Sequence, residues 1–211
     1  MRRLIRISMV LIAVGASLVM YAGLPEQVPV HWDLRGQVDG YGSRFTVLFL
    51  APLMMVAVWG LLRFLPRIDP LRANYSRFAG TYEVIIDSVM AMFLVIHLAI
   101  LLGASGAPDS VALVVRAAVG AMFIVMGNVM PRTRQNWFVG VRTPWTLASA
   151  RVWERTHRLA GYLFVALGAV VILTIPLAPR IGIPIIAAGL AVVGFGSVIY
   201  SYLEWRKEKA S

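Results

Sequence analysis

Six apolar segments, each close to the length that crosses a bilayer, constrain the fold of this chain more than any other feature. They occupy residues 4–21, 45–65, 83–103, 111–130, 159–178 and 181–203. A helix needs about 20 mainly apolar residues to cross the hydrocarbon core. Only 14% of the residues are charged, against about 25% in soluble domains. The sequence therefore predicts an all-α, polytopic membrane helix bundle with six transmembrane helices.

The first segment also has a feature of signal peptides, because the basic stretch MRRLIR precedes it. No A-x-A-like cleavage site follows it. An uncleaved helix also gives the loops a consistent distribution of charge. We therefore expect this segment to remain as the first span.

The basic residues of alternate loops predict the orientation of the bundle. One side of the membrane receives 16 Lys and Arg residues and the other side receives three, Arg35, Arg44 and Arg180. Cytoplasmic loops carry the excess of positive charge. Both termini are therefore predicted to lie in the cytoplasm. The sixteen are Arg2, Arg3, Arg6, Arg63, Arg67, Arg72, Arg77, Arg132, Arg134, Arg142, Arg151, Arg155, Arg158, Arg206, Lys207 and Lys209.

These boundaries divide the chain into three parts. Residues 1–65 form two spans joined by an exported loop rich in proline and glycine, residues 24–44. Residues 66–110 hold the third span with its flanking loops. Residues 111–211 hold the last three spans and a cytoplasmic arginine-rich loop, residues 131–158.

Ionisable residues lie inside the third span and follow a helical spacing. Glu83, Asp87, Met90, Leu94 and His97 are separated by 4, 3, 4 and 3 residues, so they share one helix face. Charged groups at membrane depth are costly and normally face the bundle interior or water. Two hypotheses stay open for this face, a set of packed and paired residues or a polar path through the bundle.

The fourth span has a comparable face. Arg116, Gly120 and Gly127 line up along it, and small residues allow helices to approach closely in lipid. This face is therefore predicted to pack inward. Two arrangements stay open for Arg116: it meets His97 of the third span, or it extends alone to the membrane boundary.

The proline- and glycine-rich loop is predicted to form a compact, turn-rich cap. His31, Asp33 and Asp39 have side chains that suit zinc or a similar ion. One histidine and two aspartates in a loop are nevertheless a common combination, which favours hydrogen-bonded or solvated residues over a metal site. Trp32 and Tyr41 are typical of anchors at the lipid headgroups.

The arginine-rich loop combines an irregular part with an amphipathic helix. Pro131 ends the fourth span, and breaking residues make residues 133–146 irregular. From about Leu147 a helix is predicted to run into the fifth span with Val152 and Trp153 on its apolar stripe. Tryptophans 137, 145 and 153 with flanking arginines suit a segment at the membrane interface.

Two motifs resemble known families. GNVMPRTRQNWFVGVRTPWTLASARVWERTHRLAG resembles the signature of the SdpI family, and LPEQVPVHWDLRGQVDGYGSR resembles a domain of unknown function that often precedes it. The residues that carry the first match are Gly127, Asn128, Pro131, Asn136, Phe138, Gly140, Arg142, Thr143, Pro144, Trp145, Thr146, Trp153, Thr156, His157 and Gly161. Those that carry the second are Leu24, Pro25, Pro29, His31, Gly36, Asp39, Gly40 and Gly42.

The resemblance implies a multi-span protein of the bacterial cytoplasmic membrane. The best-known member of this family protects against a secreted peptide toxin and holds a soluble repressor at the membrane. We therefore expect a non-enzymatic immunity or signalling protein, without a cofactor or direct nucleic-acid contact. Its partners would be membrane lipid, a peptide toxin at the outer face and a cytoplasmic regulator at residues 131–158.

Particular residues are candidates for this role. On the inner side they are Asn128, Asn136, Arg142, Thr143, Pro144, Trp145, Trp153 and His157, and on the outer side His31, Asp33 and Asp39. Arg142 is the preferred determinant, because its planar fork of donors can hold backbone carbonyls or a carboxylate such as Glu154.

Two other classes of function have weaker support in the sequence. A small ion-coupled transporter would use the intramembrane residues Glu83, Asp87, His97 and Arg116. A membrane enzyme is disfavoured, because no H-E-x-x-H, G-x-S-x-G or paired-carboxylate motif is present. The chain has no cysteine, which excludes thiol catalysis.

Overall fold

The computed structural model describes residues 1–33, 37–177 and 179–210. Within them, six helices are long and apolar enough to cross a membrane, which confirms the predicted bundle. The helices are α1 (Arg2–Met20), α2 (Arg44–Ile68), α3 (Ala79–Ala104), α4 (Pro108–Val129), the short α5 (Pro144–Ala148), α6 (Ala150–Leu173) and α7 (Pro179–Ala210). Arg35 and Gly36, which the sequence places in the cap, lie outside the described residues.

The cap between α1 and α2 is a β-hairpin. Strand β1 (Gln27–Trp32) pairs antiparallel with β2 (Val38–Ser43), and the register is irregular around His31. Sequence reasoning predicted the compact cap but not the strands, since Pro29 argues against a strand. Proline lacks an N–H donor and is tolerated on edge strands, and both strands of a two-stranded sheet are edges. Val28 anchors the hairpin in a buried apolar cluster with Leu24, Val47 and Leu101.

Helices α1, α2 and α3 share one core at the opposite end of the bundle. A 3-10 helix at Arg72–Phe78 leads directly into α3. It contributes two aromatic residues, Tyr75 and Phe78, to this core. The buried members are Ala13, Met55, Tyr75, Phe78, Tyr82, Ile86 and Met90. The predicted polar face of α3 is confirmed as an inward face, because Met90 lies in this cluster and His97 is buried against α1.

Helices α4 and α6 approach each other so closely that their backbones touch at two glycine pairs. A Cβ atom added to Gly127 would lie 2.5 Å from the Gly161 carbonyl oxygen, and one added to Gly168 would lie 2.5 Å from that of Gly120. The predicted alignment of Gly120 and Gly127 on an inward face is therefore confirmed. Helix association in lipid depends on such close packing, since no hydrophobic drive acts between helices there.

We expect Gly127→Ala to destabilise the bundle by about 1–3 kcal/mol, the usual cost of overpacking a tight contact. Gly60→Ala on α2 is the matched control, because its new methyl group meets nothing within 4 Å. The control should change stability by at most about 1 kcal/mol, in the stabilising direction. Thermal unfolding in mild detergent, followed by circular dichroism, measures both. Equal melting temperatures for the two variants would contradict the proposed role of the glycine contact.

Candidate functional site

The irregular part of the arginine-rich loop is folded around the side chain of Asn136, which is fully buried. Its Oδ1 accepts hydrogen bonds from the backbone N–H groups of Phe138 at 3.0 Å and Val139 at 2.6 Å. Its Nδ2 donates to the carbonyl oxygens of Arg134 at 2.8 Å and Val139 at 3.0 Å. One amide side chain therefore replaces the regular hydrogen bonds that this segment lacks.

The connection between α2 and α3 holds this loop from the side. Asp69 is 2% exposed, and its Oδ2 accepts from the Trp137 N–H at 2.9 Å and from the Tyr75 hydroxyl at 3.0 Å. Asn74 Nδ2 donates to the Gln135 carbonyl oxygen at 2.8 Å. Sequence reasoning missed Asp69 and Tyr75. An Asp-Pro dipeptide such as Asp69-Pro70 favours a turn, but nothing in it identifies a partner more than 60 residues away.

His157 is locked between two elements of the loop and is fully buried. Its Nδ1–H donates to the Trp153 carbonyl oxygen at 2.8 Å, and its Nε2 accepts from the Val141 N–H at 3.0 Å. This pair of bonds assigns the neutral Nδ1–H tautomer. Gly140 makes the approach of the chain possible, since its φ of 109° favours glycine and an added Cβ would lie 2.2 Å from Nε2.

Trp153 is a core residue and not an interface anchor, which corrects the membrane-surface interpretation of this tryptophan. It is 1% exposed. Its ring stacks on His157 with centroids 4.0 Å apart, and its Nε1–H donates to the Thr133 carbonyl oxygen at 3.2 Å. The predicted apolar stripe of α6 is therefore confirmed, but it faces the folded loop and not lipid.

The start of α5 is formed by residues 143–146, and two of them contact α7. Thr143 caps the helix, with its Oγ1 accepting from the Thr146 N–H at 3.1 Å, and Pro144 occupies the first helical position, where a missing N–H costs little. Thr143 Oγ1 also contacts Ser201 Oγ at 3.1 Å. The Trp145 ring packs on Tyr202 of α7 with centroids 5.0 Å apart.

Arg142 lies on the exposed side of the loop. Its Nη1 donates to the Trp137 carbonyl oxygen at 2.7 Å, so the predicted grip on a backbone carbonyl is present. Glu154, the alternative acceptor, lies 3.7 Å from Arg134 instead. The Trp137 side chain is 49% exposed. Arg142 and Trp137 thus lie next to each other on the accessible surface of the loop.

The structure brings most of the loop candidates together and leaves one apart. Asn136, Thr143, Trp153 and His157 are all buried within the folded loop. Asn128 is exposed on α4, where its Nδ2 donates to the Ile124 carbonyl oxygen of its own helix at 2.7 Å.

A charged cluster fixes α1 to α3 at the same end of the bundle. Arg6, which is 2% exposed, donates from Nη2 to Glu83 at 2.5 Å and from Nε to Asp87 at 2.6 Å. Arg2 pairs with Asp87 at 2.5 Å, and Arg63 of α2 pairs with Glu83 at 3.0 Å. Glu83 is therefore paired with arginines of α1 and α2, and Asp87 with two arginines of α1.

His97 and Arg116 face different helices, so the arrangement in which they meet is wrong. His97 Nε2 lies 2.8 Å from Ser17 Oγ of α1. Arg116 Nη1 donates to the carbonyl oxygen of Leu177 at 2.8 Å and, at 3.4 Å, to that of Thr174, beyond the end of α6. The four intramembrane polar residues therefore lie in three separate places.

The hairpin candidates form local contacts. His31 Nδ1 lies 2.6 Å from Asp39 Oδ1, and Asp33 Oδ1 accepts from the Gln37 N–H at 2.8 Å. Among the residues that the structure describes, no group of three or more histidine, cysteine or carboxylate side chains is placed to hold a metal ion.

Comparison with known proteins supports the resemblance that the two motifs predicted. Residues 132–201 match the SdpI/YfhL protein family, and residues 9–56 match a domain of unknown function, DUF1648. The chain is 26% identical over 171 residues to the protein named Immunity protein SdpI of Bacillus subtilis (strain 168), an alignment covering 81% of this chain and 79% of that relative. No solved structure matches significantly. The resemblance to the SdpI family is confirmed.

We expect Asn136→Ala to lower the free energy of unfolding by at least about 2 kcal/mol, because it leaves buried N–H groups without acceptors. Asn128→Ala is the control and should stay within about 0.5 kcal/mol, since it removes one exposed bond. Unfolding in detergent measures both, and limited proteolysis of residues 131–149 reports opening of the loop. Equal protease resistance of the two variants would show that Asn136 does not organise the loop.

We expect Arg6→Gln to destabilise the protein by about 3 kcal/mol, near the lower end of the cost of removing one partner from a buried pair. The loss stays at that end because Arg2 and Arg63 keep a partner for each carboxylate. Arg3→Gln is the matched control, since Arg3 is exposed on the same helix turn. Melting temperatures in detergent test the difference, and a loss in Arg3→Gln as large as in Arg6→Gln would count against the cluster.

Proposed function

We propose that this SdpI-like membrane protein confers immunity to a membrane-active peptide. The observation that carries the proposal is its similarity to the relative named Immunity protein SdpI, which extends over 81% of this chain. The two family matches lie at 9–56 and 132–201, so the similarity includes both the hairpin and the arginine-rich loop.

The proposal includes an orientation with both termini and the arginine-rich loop in the cytoplasm. The distribution of Lys and Arg supports it, with 16 on one side and three on the other. The contacts support it too, because the segments assigned to one side meet at one end of the bundle. Arg2 and Arg6 reach α3 there, and the connection after α2 binds the loop through Asp69. The hairpin then faces outward, where a secreted peptide arrives.

The arginine-rich loop is proposed to be the surface that contacts a cytoplasmic regulator. The buried side chains of the loop contact only other parts of this protein, so a partner would bind the exposed residues Trp137 and Arg142. Arg132, Arg151 and Arg158 are exposed as well, which favours a partner with an acidic surface. A tryptophan and an arginine are also the residue types that most often dominate binding energy at interfaces.

A non-enzymatic role fits the state of the histidine in the loop. Catalysis by His157 would need a ring nitrogen free to exchange a proton with a substrate. Both nitrogens are engaged by backbone groups, and the ring is covered by Trp153. We therefore assign His157 a structural role.

The transporter hypothesis has less support. A proton or substrate path needs ionisable groups in sequence along one route. Glu83 and Asp87 are held in ion pairs with arginines, His97 contacts Ser17, and Arg116 reaches the end of α6. Glu83, Asp87 and His97 all face α1, whereas Arg116 faces the end of α6, so the four groups do not lie along one interface.

We expect a strain that lacks this protein to be killed by at least one membrane-active peptide, and the wild-type gene to restore survival. Arg142→Ala should abolish or strongly reduce protection, because it removes the exposed guanidinium and its bond to Trp137. Arg72→Ala is the matched control, since Arg72 is exposed in the neighbouring connection. Survival curves over a panel of peptides, with expression checked by immunoblot, measure the effect. Unchanged killing across the panel would contradict immunity, and equal protection by both variants would contradict the role of Arg142.

A further inference from the structure

A cavity of about 330 Å³ lies beneath the hairpin, between α3, α4 and α7. We call it the hairpin cavity. Strand β1 contributes His31 and Trp32 to it, and most of the remaining lining residues are aliphatic side chains such as Ile96, Val115 and Ile183. Its size is at the lower end of the range of small-molecule sites, about 300–1,000 Å³.

The lining restricts the chemistry of an occupant. Among the described lining residues, Arg116 is the only polar side chain besides His31 and Trp32. A peptide segment would bring backbone N–H and C=O groups into this space, and each unsatisfied group in an apolar environment costs several kcal/mol. A hydrocarbon chain brings no such groups. The cavity therefore favours an acyl chain over a peptide.

Arg116 restricts the occupant further. It is 7% exposed, and it donates hydrogen bonds from Nε to the Ala112 carbonyl oxygen at 3.2 Å and from Nη1 to the carbonyl oxygens beyond α6. No acidic side chain among the described residues forms an ion pair with it. Carbonyl dipoles solvate the guanidinium but do not neutralise it, so an anionic group complements the cavity.

The guanidinium also stands at a suitable depth. Leu177 and Thr174 follow the last residue of α6, Leu173, so Arg116 reaches the level at which the helix leaves the hydrocarbon core. Phosphate groups of lipids lie just beyond that level, and basic pockets between transmembrane helices bind anionic headgroups. Gly182 at the start of α7 leaves room for the side chain, since an added Cβ would lie 2.9 Å from Arg116 Nη1.

We propose that the hairpin cavity binds one acyl chain of an anionic phospholipid, with the lipid phosphate next to Arg116. This inference is independent of immunity to a peptide, because it rests on the cavity and on Arg116, which forms no ion pair with any described residue. The hairpin then covers a bound lipid, and His31 and Trp32 lie against its chain.

The test uses the full-length protein in nanodiscs that contain phosphatidylglycerol with a photoreactive group in the acyl chain. After illumination, peptide mapping should locate adducts on the residues that line the cavity. Zwitterionic phosphatidylcholine with the same chain should label about fivefold less, the factor that corresponds to roughly 1 kcal/mol for one basic residue near an anionic surface. Inorganic phosphate should not compete, since it has no chain.

Variants test the binding of the acyl chain and the preference for negative charge separately. Val115→Phe fills the cavity and should remove most of the labelling, whereas Leu113→Phe, on the exposed face of the same helix, should not. Arg116→Gln should abolish the preference for the anionic lipid, and Arg116→Lys should keep it. If Arg116→Gln does not fold, the comparison of Val115→Phe with Leu113→Phe decides.

Several results would overturn the proposal. Labelling that is unaffected by Val115→Phe would place the lipid elsewhere. Equal labelling by the two lipids would remove the role of charge, and full competition by phosphate would indicate a site for a free anion. Adducts from a photoreactive hydrophobic peptide at the cavity, without adducts from lipid, would assign the cavity to a peptide.

Discussion

The contact between the backbones of α4 and α6 is the constraint on which the rest of this structure depends. Two glycine pairs, Gly127 with Gly161 and Gly120 with Gly168, bring the helices together over two turns. The chain must therefore return from the end of α4 to the start of α6 within a very small space. Residues 131–149 have to fold back over the helix ends, and Trp153 and His157 become buried beneath them. At the other end of the same interface, Arg116 reaches the carbonyl groups that follow α6.

Much of the fold follows from local sequence patterns. Hydrophobic length predicts the six spans, and helical spacing predicts the inward faces of α3 and α4, because both depend on residues a few positions apart. The hairpin was not predicted as strands, since Pro29 interrupts the pattern of β1. Asp69 and Tyr75 were missed for a different reason. Their bonds to the loop join residues more than 60 positions apart, and such pairing depends on how the helices pack.

The candidate site residues were also predicted only in part. The sequence located the loop correctly, but it could not separate residues that build the loop from residues that its surface presents. Trp153 illustrates this, since a tryptophan flanked by arginines has the same local sequence at a membrane interface and under a folded loop. The burial of each side chain in the structure distinguishes these two groups. Asn136, Trp153 and His157 lie inside, while Arg142 and Trp137 are accessible.

The ion pairs of Arg6 have a consequence for how the protein is made. Glu83 and Asp87 enter the bilayer region with α3, which is synthesised well after α1. Carboxylates are poorly tolerated in a helix that partitions alone into lipid. Helix α3 therefore inserts most favourably when the arginines of α1 are already beside it in the membrane, so that the first helix lowers the cost of placing the third.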